Sequence, residues 1–182
     1  MTPKVVKVLP YPDQRLRQVS RPVPVHDVDT MNLVRQVVMT LRETMYDSKG
    51  WGLSAIQIGV PIGVFVVHVP SETPEPLVFV NPDVVSVSDE LFTLNEGCLS
   101  FKGIREPIER PARITMKAWN ERGQFREPTE YTGWTARAIQ HEMEHLSGRL
   151  LIDHLMPAAR RMLDRSIRRK EAKRLAKLEP AR

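Results

Sequence analysis

The order of periodic patterns along the 182-residue chain constrains its fold more than any other feature of the sequence. Apolar residues recur at helical spacing between Leu33 and Met45, and again around Ile139. Between these segments lie only short apolar or β-branched runs, separated by Gly, Pro, Asn and Asp. A helix, then strands, then a helix lacks the βαβ alternation of a parallel sheet. This order predicts an α+β fold with mostly antiparallel strands.

Capping and turn residues predict where these elements begin and end. Asp29 or Thr30 is the expected N-cap of the first helix, which we expect to end before Gly50. The expected strands are residues 60–69, 77–80, 84–87, 91–94, 114–119 and 124–131. The last of these strands leads into the second helix.

Two further helices are predicted after the last strand. One begins near Trp134 and ends at Gly148, because glycine commonly follows a helix C-terminus. Pro157 suits the first turn of another helix, expected to reach residue 178. We therefore expect one compact unit over residues 1–156, with the second helix at its centre, and a helical tail over residues 157–182.

The positive charge of the chain is concentrated at its C-terminus. Residues 157–182 hold 10 basic and 3 acidic side chains, whereas the other 156 residues hold 17 basic and 19 acidic ones. The body therefore has no charge excess that favours nucleic acid, and we expect no sequence-specific nucleic-acid partner; the tail suits a polyanion. No apolar run approaches the ~20 residues of a membrane span. With no signal-peptide pattern either, we expect a cytoplasmic protein without a membrane partner.

The second predicted helix carries a His-Glu-x-x-His pattern. His141 and His145 are four residues apart, so both imidazoles share one helix face and can hold one metal ion. Glu142 lies beside the first histidine, where it can take a proton from metal-bound water. A catalytic metal with an open position needs a third protein ligand. The residues alone leave two candidates for that ligand, Cys98 and His154.

Two other segments contain residue types that suit a site. Residues 50–59 combine three glycines with Gln57, whose amide can donate a hydrogen bond. Cys98 is the only cysteine, which excludes an internal disulfide. It follows Gly97, where the absence of a side chain lets other groups approach closely.

Three segments of the chain together resemble the motifs of the peptide deformylase family. They read Gly50-Trp51-Gly52-Leu53-Ser54-Ala55-Ile56-Gln57, Glu96-Gly97-Cys98-Leu99-Ser100 and Gln140-His141-Glu142-Met143-Glu144-His145. The segment from Tyr11 to Val23 is also similar, and the resemblance covers about residues 3–156.

The resemblance implies a metal-dependent hydrolase that removes the N-formyl group from nascent polypeptides beginning with formyl-methionine, and releases formate. It implies Cys98, His141 and His145 as ligands, with ferrous iron as the usual ion and zinc, nickel or cobalt as substitutes. A metal-bound water would attack the formyl carbon, with Glu142 as general base and acid.

The resemblance also implies which groups contact the substrate. Gln57 and the backbone N–H of Leu99 would hold the formyl oxygen. The other implied contacts are Gly50, Trp51, Gly52, Gly97, Arg105 and Arg137. Trp51 is bulkier than the usual residue and would narrow the mouth of the methionine pocket, and Arg137 replaces a residue that is apolar in some members.

The basic tail suggests a second partner. Related bacterial enzymes dock a C-terminal helix of this kind near the ribosomal tunnel exit, so the resemblance implies a ribosome partner here. The candidate contacts are Arg160, Arg161, Arg165, Arg168, Arg169, Lys170, Lys173, Arg174 and Lys177.

Two other functions compete with a deformylase. One is a His-Glu-x-x-His peptidase that cleaves unformylated peptides and takes His154 or a glutamate as its third ligand. The other is a non-catalytic, ribosome-associated binding protein. The presence of both Cys98 and Glu142 argues against the second function.

Overall fold

A five-stranded antiparallel sheet lies between two α-helices in the computed structural model, which describes residues 4–176. The helices are α1 (Val28–Asp47), α2 (Gly133–Leu146) and α3 (Pro157–Ala176). The strands are β1 (Gly52–Ser54), β2 (Val64–Val67), β3 (Leu77–Val87), β4 (Leu91–Gly97), β5 (Arg105–Pro111), β6 (Ile114–Trp119) and β7 (Phe125–Tyr131). The large sheet has the order β1-β2-β3-β6-β7, and β4 pairs with β5 in a second sheet. The predicted α+β class is confirmed.

Helix α1 begins one turn earlier than its predicted cap residues suggested. The N-cap is Asp27, whose carboxylate accepts a hydrogen bond from the Thr30 N–H at 3.0 Å. The prediction of Asp29 or Thr30 as the cap is therefore wrong, because Thr30 supplies the donor that the cap satisfies. Beyond the cap, Val34 and Val38 lie on the buried face.

Strand β2 is buried on both of its faces, which explains its unbroken apolar sequence. Val64 and Val66 belong to the apolar cluster that includes the buried face of α1. Phe65 and Val67 belong to a second cluster, to which α2 contributes Ala136 and Ile139. The sheet thereby places α2 in contact with β1, a strand that lies within the glycine-rich segment 50–59.

Three features of the strands were not predicted, and one of them is β1 itself, which lies in the glycine-rich segment. Strand β3 runs continuously through Asn81-Pro82, where the sequence suggested a break. Asn81 has a positive φ of 48°, and the sheet register shifts there, so the strand bends without ending. Strand β5 was missed because it contains two prolines and four charged residues. Within residues 4–176 it pairs only with β4, and such a strand tolerates proline on its open edge.

Helix α3 packs on the body through a narrow apolar stripe. Leu163 and Ile167 contact the third apolar cluster, which includes Leu16, Phe101 and residues 150–152. The Tyr11 hydroxyl donates a hydrogen bond to Asp164 on the same helix. Residues 177 and 178 of the predicted helix lie outside the described residues. Over residues 4–176, no helix is both long and apolar enough to cross a membrane.

Candidate active site

Three parts of the fold meet around one cavity of about 610 Å³. Residues 49–52, which lead from α1 into β1, form one wall together with Gln57. Residues 95–105, from the end of β4 to the start of β5, form the opposite wall. Helix α2 passes behind both, with Glu142 and His141 facing the cavity. The three sequence segments therefore converge, although 84 residues separate Gln57 from His141.

The side chains of Cys98, His141 and His145 form the group that can hold a metal ion. One ligand atom from each lies within 4.8 Å of the other two. The Cys98 Sγ is 3.3 Å from the His145 Nε2. The other candidate ligand, His154, is directed elsewhere, because its Nε2 lies 2.8 Å from the Glu144 Oε2.

A buried carboxylate orients the first histidine. The Glu96 Oε2 lies 3.1 Å from the His141 Nδ1, which leaves the Nε2 atom free to face Cys98. Arg110 donates two hydrogen bonds to Glu96, at 2.6 and 2.9 Å, and Arg137 donates another at 2.6 Å. Burial alone would raise the pKa of Glu96, but His141 and Arg110 lower it to about 2. The carboxylate therefore stays ionised and forms a buried ion pair with Arg110.

The two histidines have opposite pKa shifts. Burial lowers the pKa of His141, but hydrogen bonds to Cys98 and Glu96 outweigh it and raise the pKa well above the usual value. Burial and the charges of His141 and Arg110 hold the pKa of His145 well below the usual value. The negative groups that favour a proton on His141 also favour a metal cation there. A thiolate and two imidazoles are donors that suit zinc or ferrous iron, so these residues fit a divalent metal.

Glu142 is held against strand β1. The Ser54 hydroxyl donates a hydrogen bond to the Glu142 Oε2 at 2.5 Å. Gly52 provides the space for this carboxylate, since a Cβ on Gly52 would lie 2.5 Å from the Oε1 atom. Burial raises the pKa of Glu142 above its usual value. A buried carboxylate with a raised pKa is suited to exchanging protons near neutral pH.

The amide of Gln57 has a defined orientation. Its Oε1 accepts a hydrogen bond from the Ser54 N–H at 2.9 Å. The Nε2 group consequently points the other way, 3.2 Å from the Ser100 Oγ and 3.6 Å from the Cys98 Sγ. Within the described residues, the N–H of Leu99 donates to no protein group. Two N–H donors thus lie on the cavity wall, one 3.6 Å from the Cys98 sulfur and the other on the residue that follows Cys98 in the chain.

The remaining predicted contacts all line the cavity, in different ways. Gly50 lets the Leu99 side chain approach, because a Cβ there would lie 2.8 Å from the Leu99 Cδ1. Gly97 is paired with Arg105 across the β4–β5 ladder. Arg137 is buried, and its guanidinium donates to Glu96 and to the carbonyls of residues 92 and 108. It therefore forms part of the wall and supports Glu96.

Sequence reasoning missed two residues of the site. Ser54 lies inside the glycine-rich motif, but its contact with Glu142 spans 88 residues and has no local sequence signal. For Trp134, the sequence predicted only that a helix begins near it. Its ring packs edge-to-face against Trp51 with centroids 5.4 Å apart, and both rings line the cavity mouth.

Comparisons with known proteins give one consistent family. The sequence profile of the polypeptide deformylase family matches residues 5–161. The chain is 39% identical to a peptide deformylase of Cellvibrio japonicus over 91% of this chain and 95% of that protein. It is 43% identical to a peptide deformylase of Rhizobium meliloti over 91% and 92% of the two chains. The crystal structure of peptide deformylase from Ehrlichia chaffeensis superposes with a TM-score of 0.83 at 32% identity, covering 94% of this chain and 99% of that one.

Proposed function

The chain belongs to the polypeptide deformylase family and removes the N-formyl group from nascent polypeptides, and from this premise we propose how its residues do so. Cys98, His141 and His145 hold a divalent metal, which we propose is ferrous iron, with zinc, nickel or cobalt as substitutes. The carrying observation is that these three donors form one cluster beside a cavity, and that Cys98, His141 and Glu142 line this cavity. Membership of this family favours a deformylase over a peptidase or a non-catalytic binding protein.

The metal supplies one element of the chemistry: when bound, it lowers the pKa of a coordinated water toward about 7. Glu142 takes the proton of the attacking water and delivers it to the leaving nitrogen. The observations that support this role are its burial, its raised pKa and its hydrogen bond from Ser54. Glu142 is not counted among the ligands, because Cys98, His141 and His145 already form a complete three-donor set.

Two N–H groups stabilise the charge that develops on the formyl oxygen. We assign this role to the Gln57 amide and the Leu99 main-chain N–H. The Gln57 amide is held in a donor orientation by the Ser54 N–H, so it does not need to reorganise during the reaction. The Leu99 N–H follows Cys98 directly, which keeps it beside the reacting centre.

The rest of the cavity wall binds the peptide itself. We assign direct contacts to Gly50, Trp51, Gly52, Gly97 and Arg105, and an indirect contribution to Arg137; all six line the cavity. The glycines leave room for Leu99, for Glu142 and for the extended peptide backbone. Arg137 acts through the wall, since its donors are directed at protein acceptors.

The direct test measures formate release from a formyl-methionyl peptide by iron-loaded protein kept away from oxygen. Oxygen is excluded because a metal-bound thiolate beside ferrous iron is open to oxidation. We expect rapid formate release and no cleavage of the same peptide without its formyl group. Cleavage of the unformylated peptide would instead support a peptidase.

We propose that residues 1–156 are the catalytic unit and that the basic segment 157–182 binds the ribosome. On α3, Arg160 pairs with Asp153 and Arg168 pairs with Asp164. Other basic residues of the helix are exposed: Arg161, Arg165, Arg169 and Lys170. The side chains of Lys173 and Arg174, and the whole of Lys177, lie outside the described residues. A ribosome partner also supports a cytoplasmic location, because nascent polypeptides emerge there.

A charge-neutralised variant tests ribosome binding better than truncation, since Leu163 and Ile167 pack on the body. We compare the triple variant Arg161→Gln/Arg165→Gln/Arg169→Gln with the control Lys4→Gln/Lys7→Gln/Lys102→Gln. Each neutralised phosphate contributes about 0.7–0.9 to the log–log salt slope of binding. The arginine variant should lose about 2–3 units of slope in co-sedimentation with ribosomes, and the control should lose none. Equal binding by both variants would show that the tail is a solvated helix that does not bind the ribosome.

A further inference from the structure

Lys49 stands at the mouth of the cavity in a backbone conformation that usually selects glycine. It follows α1 with a φ of 56°, in the left-handed region. The turn is closed by hydrogen bonds from Lys49 N–H to the Tyr46 carbonyl and from Gly50 N–H to the Met45 carbonyl, at 3.0 and 2.9 Å. A lysine costs about 1–2 kcal/mol more than glycine in this region. Stability therefore gives no reason for lysine here, and a strained residue at a cavity is a sign of function.

Arg105 lies on the other side of the same cavity mouth. It pairs with Gly97 across the β4–β5 ladder, and its Cγ and Nε lie 3.7 and 3.9 Å from where a Cβ of Gly97 would be. Its stem therefore runs over the end of β4, directly before Cys98. Both Arg105 and Lys49 are exposed, and within residues 4–176 neither forms an ion pair.

The acidic side chains of the cavity do not offset these two cations. Among the residues that the structure describes, Glu96 and Glu142 are the only acidic ones that line the cavity, and both are buried at its inner end. Glu96 is already paired with Arg110 and Arg137. The outer part of the cavity thus carries two unpaired positive charges, and the rings of Trp51 and Trp134 displace water from one side of it.

We propose that Lys49 and Arg105 make the enzyme select formylated peptides with acidic side chains directly after the methionine. This inference rests on the proposed function of the site. With the formyl group beside Cys98 at the inner end, the second and third residues of the peptide pass over the cavity mouth. A carboxylate there is attracted to both cations, and an ammonium group is repelled by both. Exposed charge pairs are individually weak, so two of them predict a discrimination of about 3- to 30-fold.

The test uses formyl-Met-X-X-amide peptides in which X is Asp, Asn or Lys. Asp and Asn have nearly the same shape, so their comparison isolates charge, and the amidated C-terminus removes a competing carboxylate. We measure kcat/KM for formate release by the full-length enzyme and by Lys49→Gln, Arg105→Gln and Lys7→Gln. Lys7 is exposed and does not line the cavity, so its variant controls for net charge. Calorimetry with the unformylated products Met-X-X-amide measures binding without the reaction.

The expected result is a kcat/KM for the Asp peptide about 3- to 30-fold above that for the Lys peptide, with Asn between them. Lys49→Gln and Arg105→Gln should each reduce this ratio about 2- to 5-fold, while Lys7→Gln keeps the wild-type ratio. The ratio between the Asp and Lys peptides should decrease when the salt concentration is raised from about 0.05 M to about 0.5 M, because salt screens exposed charges. Product affinities should follow the same order.

Two results would overturn the inference. One is a wild-type enzyme that releases formate from all three peptides equally well. The other is a Lys49→Gln variant that discriminates as strongly as Lys7→Gln. Either result leaves the proposed function intact, since formate is still released. A wild-type enzyme that releases formate from none of the peptides would refute the proposed function and this inference together.

Discussion

The hydroxyl of Ser54 and the carboxylate of Glu142 are joined by a 2.5 Å hydrogen bond between two buried side chains. The same hydroxyl lies 3.1 Å from the main-chain oxygen of Glu142. Strand β1 is thereby tied to helix α2 at the residue that we assign as the general base. Because Oε2 is held by the serine, Oε1 is the oxygen that remains for the substrate side of the cavity.

Ser54→Ala should lower kcat by about 2- to 10-fold while KM changes less. The lost hydrogen bond is worth about 0.5–1.5 kcal/mol, and it orients the base without touching the peptide. Steady-state formate release over a range of peptide concentrations separates the two constants. Ser88→Ala, a serine of the turn between β3 and β4, is the control and should match wild type. An unchanged kcat in Ser54→Ala would show that the carboxylate is oriented by packing alone.

Cys98→Ala should abolish metal binding and activity, whereas His154→Ala should keep its metal. Cys98 supplies one of three clustered donors, and His154 instead contacts Glu144. Elemental analysis of the purified variants gives the metal content per chain. A full complement of metal in Cys98→Ala would refute the ligand assignment.

Glu142→Gln should retain its metal and lose at least about 10²- to 10⁴-fold in turnover. The amide has nearly the same size and can still face Ser54, but it cannot accept the proton of water. Metal content and formate release are measured on the same preparation. Near-normal turnover in this variant would remove Glu142 from the mechanism.

Glu72→Gln should destabilise the protein by about 1 kcal/mol, through the first turn of α2. The Glu72 carboxylate accepts hydrogen bonds from the N–H groups of Trp134 and Thr135, at 3.0 and 2.8 Å. An amide oxygen replaces only part of this interaction with the helix N-terminus. The midpoint temperature of thermal unfolding should fall by about 2–4 °C. Glu75 is an exposed neighbour, and Glu75→Gln should leave the midpoint temperature unchanged. Equal shifts in both variants would indicate an effect of net charge.

Asp153 should make stability depend on pH in the acid range. Burial raises its pKa, but hydrogen bonds from Arg17 and from the Leu150 N–H outweigh it and lower the pKa below 3.8. A lowered folded-state pKa means that this stabilisation is present above about pH 4 and is lost as pH falls through the folded value.

Urea unfolding of wild type and Asp153→Asn at several pH values tests this contribution. The wild type should be more stable at neutral pH, and the difference should narrow below about pH 4, because the unfolded chain then takes up a proton at Asp153 before the folded protein does. A difference that stays constant down to about pH 2 would show that the charge of Asp153 contributes nothing.

Several parts of the structure follow from the sequence alone because they depend on local geometry. Helical spacing places His141 and His145 on one face of α2, whatever surrounds the helix. Helical periodicity and turn residues likewise predicted all three helices, and β6 with both of its ends. The confinement of positive charge to the tail is a property of composition and needs no structure.

Other features were decided only by the tertiary structure, because they join residues far apart in the chain. The residues alone left both Cys98 and His154 as candidates beside the two histidines, and the family resemblance implied Cys98. In the fold, packing of the β4 end against α2 brings Cys98 to the histidines, whereas His154 contacts Glu144. The edge strand β5 forms despite its prolines, because β4 offers it a partner. The hydrogen bond from Ser54 to Glu142 likewise exists only because the sheet holds β1 against α2. Local patterns carry no information on such contacts, which arise when the apolar faces of distant segments are buried together.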